Sequence, residues 1–191
     1  MFPLRAVLFP GGLLPLRIFE QRYMEMAKDC LRQALPFGVC LIRSGEEVGA
    51  PATPEDVGCL ARIVHWDMQE LGLLQVTVRG EDRFRILERR VLANGLTRGR
   101  IEPLPADNDS PLADEFLSCA RLLRLVIEEH GARTIEAPFQ FDSSSWVSAR
   151  LCEILPVPLA AKQRLMELAD SRERLEILQK FLEQHGLVMR A

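Results

Sequence analysis

Leu73-Leu74-Gln75-Val76-Thr77-Val78-Arg79 sends Leu74, Val76 and Val78 to one side of the chain and Gln75, Thr77 and Arg79 to the other. Side chains of a strand alternate between faces, so this period of two predicts a strand with one face on a core and one in water. Gly80-Glu81-Asp82 breaks the run as a turn or bulge, and Phe84 and Ile86 restart the alternation. Asn94-Gly95 is a tight-turn signal ahead of a strand near residues 96–102.

Working upstream, residues 58–66 read as a strand ending in His65-Trp66, and residues 37–43 as a buried strand. Residues 4–9 make a short strand stopped by Pro10-Gly11-Gly12, and residues 13–18 resume as a second extended piece. From Glu20 the period changes. Tyr23, Met26, Ala27, Cys30, Leu31 and Ala34 fall at helical spacing on one face, with Glu25, Lys28, Asp29 and Arg32 opposite, and Pro36 ends the helix. The loop from Ser44 to Val57 is long for a compact domain and is expected to be mobile or an interaction loop. These elements predict a mostly antiparallel sheet curled into a partly closed barrel.

Pro103 to Pro111 is rich in Pro, Asp, Asn and Ser and is the candidate boundary. We expect a β-rich subdomain over residues 1–103, a linker over 104–110 and a helical subdomain over 111–191. Ser110-Pro111 reads as an N-cap followed by proline at the first helical position. Leu112, Phe116, Cys119, Leu123, Val126 and Ile127 form that helix's apolar stripe, and Gly131 ends it. Further helices are expected over residues 143–154, 159–169 and 171–185. Asp170 with Glu173 fits a capping box and Gly186 a C-terminal stop.

Composition narrows the function classes. Hydrophobic residues make up 48% of the 191 and charged residues 27%, as in a globular protein. The net charge of −3 argues against a protein that tracks a nucleic-acid backbone. The five cysteines (Cys30, Cys40, Cys59, Cys119, Cys152) are odd in number, widely spaced and mostly among apolar neighbours. They read as reduced, partly buried thiols of a cytoplasmic protein. No apolar run approaches the roughly 20 residues that span a bilayer, so no membrane is expected as a partner.

Several stretches, in this order, resemble the N-terminal substrate-recognition domain family of Lon-type ATP-dependent proteases. They are Phe2-Pro3-Leu4-Arg5, Val7-Leu8-Phe9-Pro10-Gly11 with Leu14-Pro15-Leu16, and Ile18-Phe19-Glu20-Gln21-Arg22-Tyr23. Then come Gly58-Cys59-Leu60-Ala61-Arg62-Ile63, Val76-Thr77-Val78-Arg79-Gly80 with Arg83-Phe84-Arg85-Ile86, and Leu155-Pro156 with Lys162-Gln163 and Leu165-Met166-Glu167. The resemblance implies an α+β fold, a β-rich PUA-like pseudo-barrel followed by a small C-terminal helical bundle. It also implies a module that engages unfolded or tagged polypeptides, of the stand-alone kind the family includes.

The motor and protease chemistry of such enzymes does not carry over. A phosphate-binding G-x-x-x-x-G-K-[ST] loop is missing from the sequence, and Gly45-Glu46-Glu47-Val48-Gly49 would repel a nucleotide. No catalytic residue, cofactor or metal site is therefore expected. His65, His130 and His185 are dispersed and read as structural. A cysteine hydrolase, with Cys152 meeting His65 or His130, is the enzyme alternative. Asp142-Ser143-Ser144-Ser145 reads as an N-cap rather than a nucleophile.

RNA binding is the second alternative. Arg83, Arg85, Arg89, Arg90, Arg98 and Arg100 cluster within residues 83–100, and Arg83 and Arg85 would share a strand face. The competing reading is an ion-pair network with Glu81, Asp82 and Glu88. Glu20 and Arg83 are expected to orient strands.

The leading expectation is a non-enzymatic site for an unfolded polypeptide or a specific protein partner. Such a site needs exposed apolar surface or a free sheet edge. The candidates are Phe9, Pro10, Leu13 and Leu14 at the Pro-Gly corner, and Trp66 and Met68 at the end of a strand before a loop.

Overall fold

The computed structural model of the chain describes residues 1–130 and 135–188, apart from the side chains of Gln69 and His130. Its contacts divide the chain into two compact units, Met1–Leu104 and Pro105–Ala191.

The alternating run over residues 73–79 is the first part of a much longer strand. The first unit contains β1 (Phe2–Leu4), β2 (Leu13–Ile18), α1 (Gln21–Gln33), β3 (Phe37–Ser44), β4 (Thr53–Pro54), β5 (Val57–Glu70), β6 (Leu73–Val91) and β7 (Thr97–Pro103). The strands form one mixed sheet in the order β1-β3-β5-β6-β2, with β4 beside β3 and β7 beside β6. Only the β1–β3 pair is parallel.

Gly80-Glu81-Asp82 forms the bulge rather than the turn of the two expected, and the strand runs on through it. The Gly80 N–H donates to the Gly12 carbonyl and the Gly11 N–H to the Gly80 carbonyl, both at 2.8 Å. The Pro-Gly corner thus supplies the partners that β2 stops supplying, and no backbone group is orphaned. The extra residue lies on β6, where the three steps from Gly80 to Arg83 oppose the two from Cys59 to Ala61. Here β6 exchanges neighbours: residues 74–79 pair with β2, residues 84–91 with β7. The close approach requires glycine, because a Cβ at position 80 would overlap the Phe9 carbonyl oxygen and sit 3.2 Å from the Cys59 sulfur.

The first strand is β1, not residues 4–9. Leu8 and Phe9 are apolar because they are buried, without being strand residues. Burial selects the same residue types as a strand ladder, which is why the run misleads.

In α1, Tyr23, Met24, Met26 and Ala27 are buried against β1–β3, β5 and β6, while Ala34 is exposed. Ala34 ends the helix in the left-handed region, φ 53°, ahead of Pro36, and the Leu35 N–H donates to the Cys30 carbonyl at 3.0 Å.

The stretch from Ser44 to Val57 is pinned rather than loose. β4 pairs with β3, Ala52 and Pro54 are buried, and Arg5 pairs with Glu46 at 2.7 Å. The Asn94-Gly95 turn forms as expected. Gly95 has φ 82°, the Asn94 side-chain oxygen accepts from the Leu96 N–H at 3.0 Å, and the turn is held to α1 by Arg22, which donates to the Gly95 carbonyl at 3.2 Å.

The second unit holds a 3-10 turn (Asp114–Phe116) leading into α2 (Leu117–His130), then α3 (Ser144–Ile154), α4 (Leu159–Glu167) and α5 (Ser171–Gln184). Phe116, Cys119, Leu123, Val147, Leu151, Met166, Leu175, Leu178 and Leu182 are buried, while Leu112 and Val126 are half-buried. Ser110-Pro111 does not cap α2. Pro111 bridges to Ser143, and the Ser110 carbonyl accepts from the Ser144 N–H at 3.0 Å, so this pair braces the start of α3 instead. Gly131, expected to end α2, lies outside the described residues.

Ser143 is the N-cap of α3, accepting from the Trp146 N–H at 3.0 Å, as the serine run predicted. Asp170 caps α5 by accepting from the Arg172 and Glu173 N–H groups. Residues 105–110 are bonded into this unit rather than hanging free. The Asn108 N–H donates to the Ala169 carbonyl at 2.8 Å, and Asp109 accepts from Ser143 and Ser145.

Candidate polypeptide-binding surface

Strand β5 has two halves. Cys59 to Ala61 lie between β3 and β6, but from Arg62 to Glu70 only β6 is beside it. Among the described residues no strand covers the other side, so this half is a free sheet edge. β3 begins at Phe37, opposite Ala61, straight after Pro36, so it has no residues to set beside Arg62 and beyond.

The same half carries exposed apolar side chains. The register shift between Ile63 and His65 adds a residue to β5 and sets Trp66, rather than His65, opposite Val76. Opposed residues share a face. Leu16, Val76 and Trp66 therefore form one row across β2, β6 and β5. The first two are buried in the core, and Trp66 is 60% exposed. Met68, two residues on and 40% exposed, lies in the next register shift of the strand, between Asp67 and Glu70. Leu71, in the turn before β6, is fully exposed. The core face of the sheet thus continues past the core, onto an arm where nothing covers it.

The six expected site residues have separate fates. Phe9 is fully buried, so it offers no surface to a partner, and its place as a candidate is corrected. The Phe9 carbonyl, against Gly80, and side chain both belong to the interior. Pro10, Leu13 and Leu14 are half-buried, and Leu14 packs on the core cluster. Trp66 and Met68 lie together on the exposed arm. They sit inside a continuous strand, not before a loop, because β5 runs on to Glu70.

The strand runs four residues past its expected end at Trp66, and in the sequence Trp66 and Met68 alternate with Asp67 and Gln69. That alternation was the available signal for the edge and for Leu71 at its tip.

The expected arginine stripe does not form as drawn, because Arg83 is buried and Arg85 is exposed. Of the three expected acidic partners, Glu88 pairs with Arg100 at 2.6 Å, whereas Glu81 pairs with Arg62 across the β5–β6 ladder. Glu20 is the N-cap residue of α1 and pairs with Arg22 at 2.9 Å.

The chemistry needed for thiol catalysis runs the wrong way. Burial pushes the Cys40 and Cys152 thiols up to about 12 and Cys119 up to about 11, and also raises Cys30. A nucleophilic cysteine needs its thiolate favoured instead. The Ser143 hydroxyl donates to Asp109 while it caps α3, which is structural use. His65 and His185 are exposed, and the His130 side chain lies outside the described residues. Among the described residues no group of His, Cys, Asp and Glu could hold a metal ion, and no helix is long and apolar enough to cross a membrane.

Comparison with known proteins gives a consistent picture. The family model described as the ATP-dependent protease La (LON) substrate-binding domain matches residues 1–184. The Lon protease of Anaeromyxobacter dehalogenans is 27% identical over 201 residues, covering all of this chain and 23% of the relative. The chain therefore spans about a quarter of the length of the relatives it matches. A crystal structure of a Lon N-terminal domain protein from Xanthomonas campestris superimposes with a TM-score of 0.77 at 34% identity, covering 94% of this chain and 95% of that one. The N-terminal domain of a Mycobacterium avium complex Lon protease shares the fold, with a TM-score of 0.62 at 18% identity, covering 96% and 97%. The α+β fold is that of the Lon N-terminal domain, and the matched region is the substrate-binding rather than the catalytic part of such proteases. The chain belongs to the LON substrate-binding domain family.

Proposed function

We propose that this chain is a non-enzymatic module that binds extended polypeptide along the free edge of β5. The observation that carries the reading is the coincidence, over Arg62–Glu70, of a sheet edge with no further strand beside it among the described residues and the exposed apolar side chains of Trp66 and Met68. An added strand takes main-chain hydrogen bonds from the edge, and alternate side chains rest on apolar neighbours. Main-chain bonding is blind to sequence, as a reader of unfolded chains requires. Trp and Met supply adaptable contacts, and an exposed tryptophan is a frequent anchor of binding energy. Polar flanks at His65, Asp67 and Glu70 keep the edge soluble between partners. The matched family's description as a substrate-binding domain agrees with this reading. The five free cysteines suit a reducing, cytoplasmic setting.

The test is fluorescence anisotropy of a labelled, permanently unfolded protein titrated with the chain in the absence of nucleotide. Saturable binding, competed by other unfolded chains and weakened at least fivefold by Trp66→Ala, is expected. No binding up to high micromolar protein removes general unfolded-chain recognition.

A further inference from the structure

Beyond Ile86 and Ile101 the β6–β7 hairpin carries charge instead of core. Its register sets Glu88 opposite Arg100, Arg89 opposite Gly99, and Arg90 opposite Arg98. Counting alternately along each strand puts Glu88, Arg90, Arg98 and Arg100 on one face. A groove of about 340 Å³ lies there, lined by Glu88, Arg89, Arg90, Arg98, Gly99 and Arg100.

Two of these arginines are occupied. Arg100 pairs with Glu88 at 2.6 Å, and Arg89 donates to the Pro54 carbonyl at 3.2 Å with Asp56 at 3.8 Å. Arg90 and Arg98 have no carboxylate partner among the described residues, and both are exposed. Like charges directly opposite one another destabilise an antiparallel pair, and a guanidinium cannot shed its proton to escape. Two adjacent planar forks, held by a ladder and free of partners, are built to take carboxylate or another oxyanion.

We propose that this groove is an acidic-segment site, in which Arg90 and Arg98 hold Asp or Glu carboxylates of a polypeptide. The lining favours that occupant over a nucleic-acid strand. It contains no aromatic side chain on which a base could stack. An Asp or Glu side chain can instead swing a single carboxylate between the two forks. The site is separate from the β5 edge, so either can fail without the other.

The test uses the whole chain and a fluorescein-labelled peptide of ten residues alternating Glu with Ser, beside the same peptide with Gln for Glu and a single-stranded RNA decamer. The Glu peptide should bind saturably and at least tenfold more tightly than the Gln peptide. R90Q/R98Q should lose at least tenfold, while the charge-matched R17Q/R85Q keeps binding within about threefold. Removing a like-charge pair threatens no fold, and an unchanged melting temperature checks this. Equal binding of Glu and Gln peptides, or equal losses in the two double variants, overturns the proposal. So does RNA that binds wild type more tightly than the Glu peptide and is released by R90Q/R98Q, which assigns the groove to nucleic acid. Unfolded-protein binding measured in parallel should survive R90Q/R98Q and fall with Trp66→Ala, which tells failure of this site from failure of the edge.

Discussion

The two units are held together by different means. The first unit has a large apolar cluster, from Phe2 and Leu16 to Val76 and Val78, and buries only Arg22, Arg83 and Thr97 beside it. The second buries Ser144, Ser148, Arg150, Gln163, Ser171 and Arg174 among its leucines. The difference follows from where backbone groups find partners. A sheet satisfies most of its N–H and C=O groups across the ladder, so few of its side chains need to donate, as Arg22 does to the Gly95 carbonyl in a turn. Short helices leave carbonyls bare at every C-terminus, and something must donate to them. Arg174, 1% exposed, donates to the carbonyls of Leu165 and Leu168 at 3.0 and 2.6 Å and to Asp107 at 2.7 Å, so it caps α4 from α5. Lys162 caps α3 likewise, donating to the Glu153 carbonyl at 2.9 Å. Both place a cation at the negative end of a helix.

If the first unit depends on close approach, its weakest tolerance is at Gly80. Gly80→Val forces a branched side chain into the Phe9 backbone. A loss of more than about 4 kcal/mol is expected, read as urea unfolding by circular dichroism. A variant that unfolds at the wild-type midpoint would break the account of the strand exchange.

In the second unit the matching weak point is a charge. Arg174→Ala removes the buried guanidinium from Asp107 and from two carbonyls, and a loss of about 3–5 kcal/mol is expected. Arg174→Met, which keeps the volume, should still lack those hydrogen bonds and recover only part of the loss. Each unit has one tryptophan, Trp66 in the first and Trp146 in the second. Trp146 emission in a Trp66→Phe background therefore reports the second unit. An Arg174→Ala chain as stable as wild type would break this account of the second unit.

The first unit's architecture was legible because period-two runs such as 73–79 carry their partner face with them, and Asn94-Gly95 names its own turn. The helix caps at Ser143 and Asp170 are local chemistry and were legible for the same reason. Burial without pairing was not, so Leu8 and Phe9 passed for a strand. Nor was the bulge that aims Trp66 along the core face, because register belongs to two strands at once. Arg174 stood in plain view, one residue before Leu175 on the buried stripe of α5 (Ser171, Leu175, Leu178, Leu182). Only the carbonyls of another helix explain why an arginine belongs there.

A smaller effect follows pH. Burial pushes the Glu153 carboxyl up from 4.5 to about 7, against the opposing pull of Arg150 and Lys162. A carboxyl whose folded value is raised holds its proton more tightly when folded. Its contribution is fully present below 4.5 and is lost as pH rises through about 7. The change is about 3 kcal/mol at most, from 1.36 kcal/mol per pK unit. Urea midpoints of the second unit between pH 4.5 and 8 should fall less steeply in Glu153→Gln. A Glu153→Gln profile parallel to wild type would mean that the Arg150 ion pair at 2.7 Å already keeps the carboxylate charged.

The smallest expected change in stability is the one that tests function. Trp66 and Leu71 extend the apolar face of the sheet beyond the region where α1 and the other strands cover it. Truncating them removes little buried area, so Trp66→Ala and Leu71→Ser should each shift stability by no more than about 0.5 kcal/mol. Core positions of the same row behave oppositely: Val76→Ala empties buried volume and should cost on the order of 1–3 kcal/mol. The row Leu16–Val76–Trp66 thus contains its own control, with packing at one end and surface at the other. If Trp66→Ala melts with wild type and loses unfolded-chain binding, the exposed end serves a partner. If it destabilises as Val76→Ala does, Trp66 is packed in solution and the edge is closed.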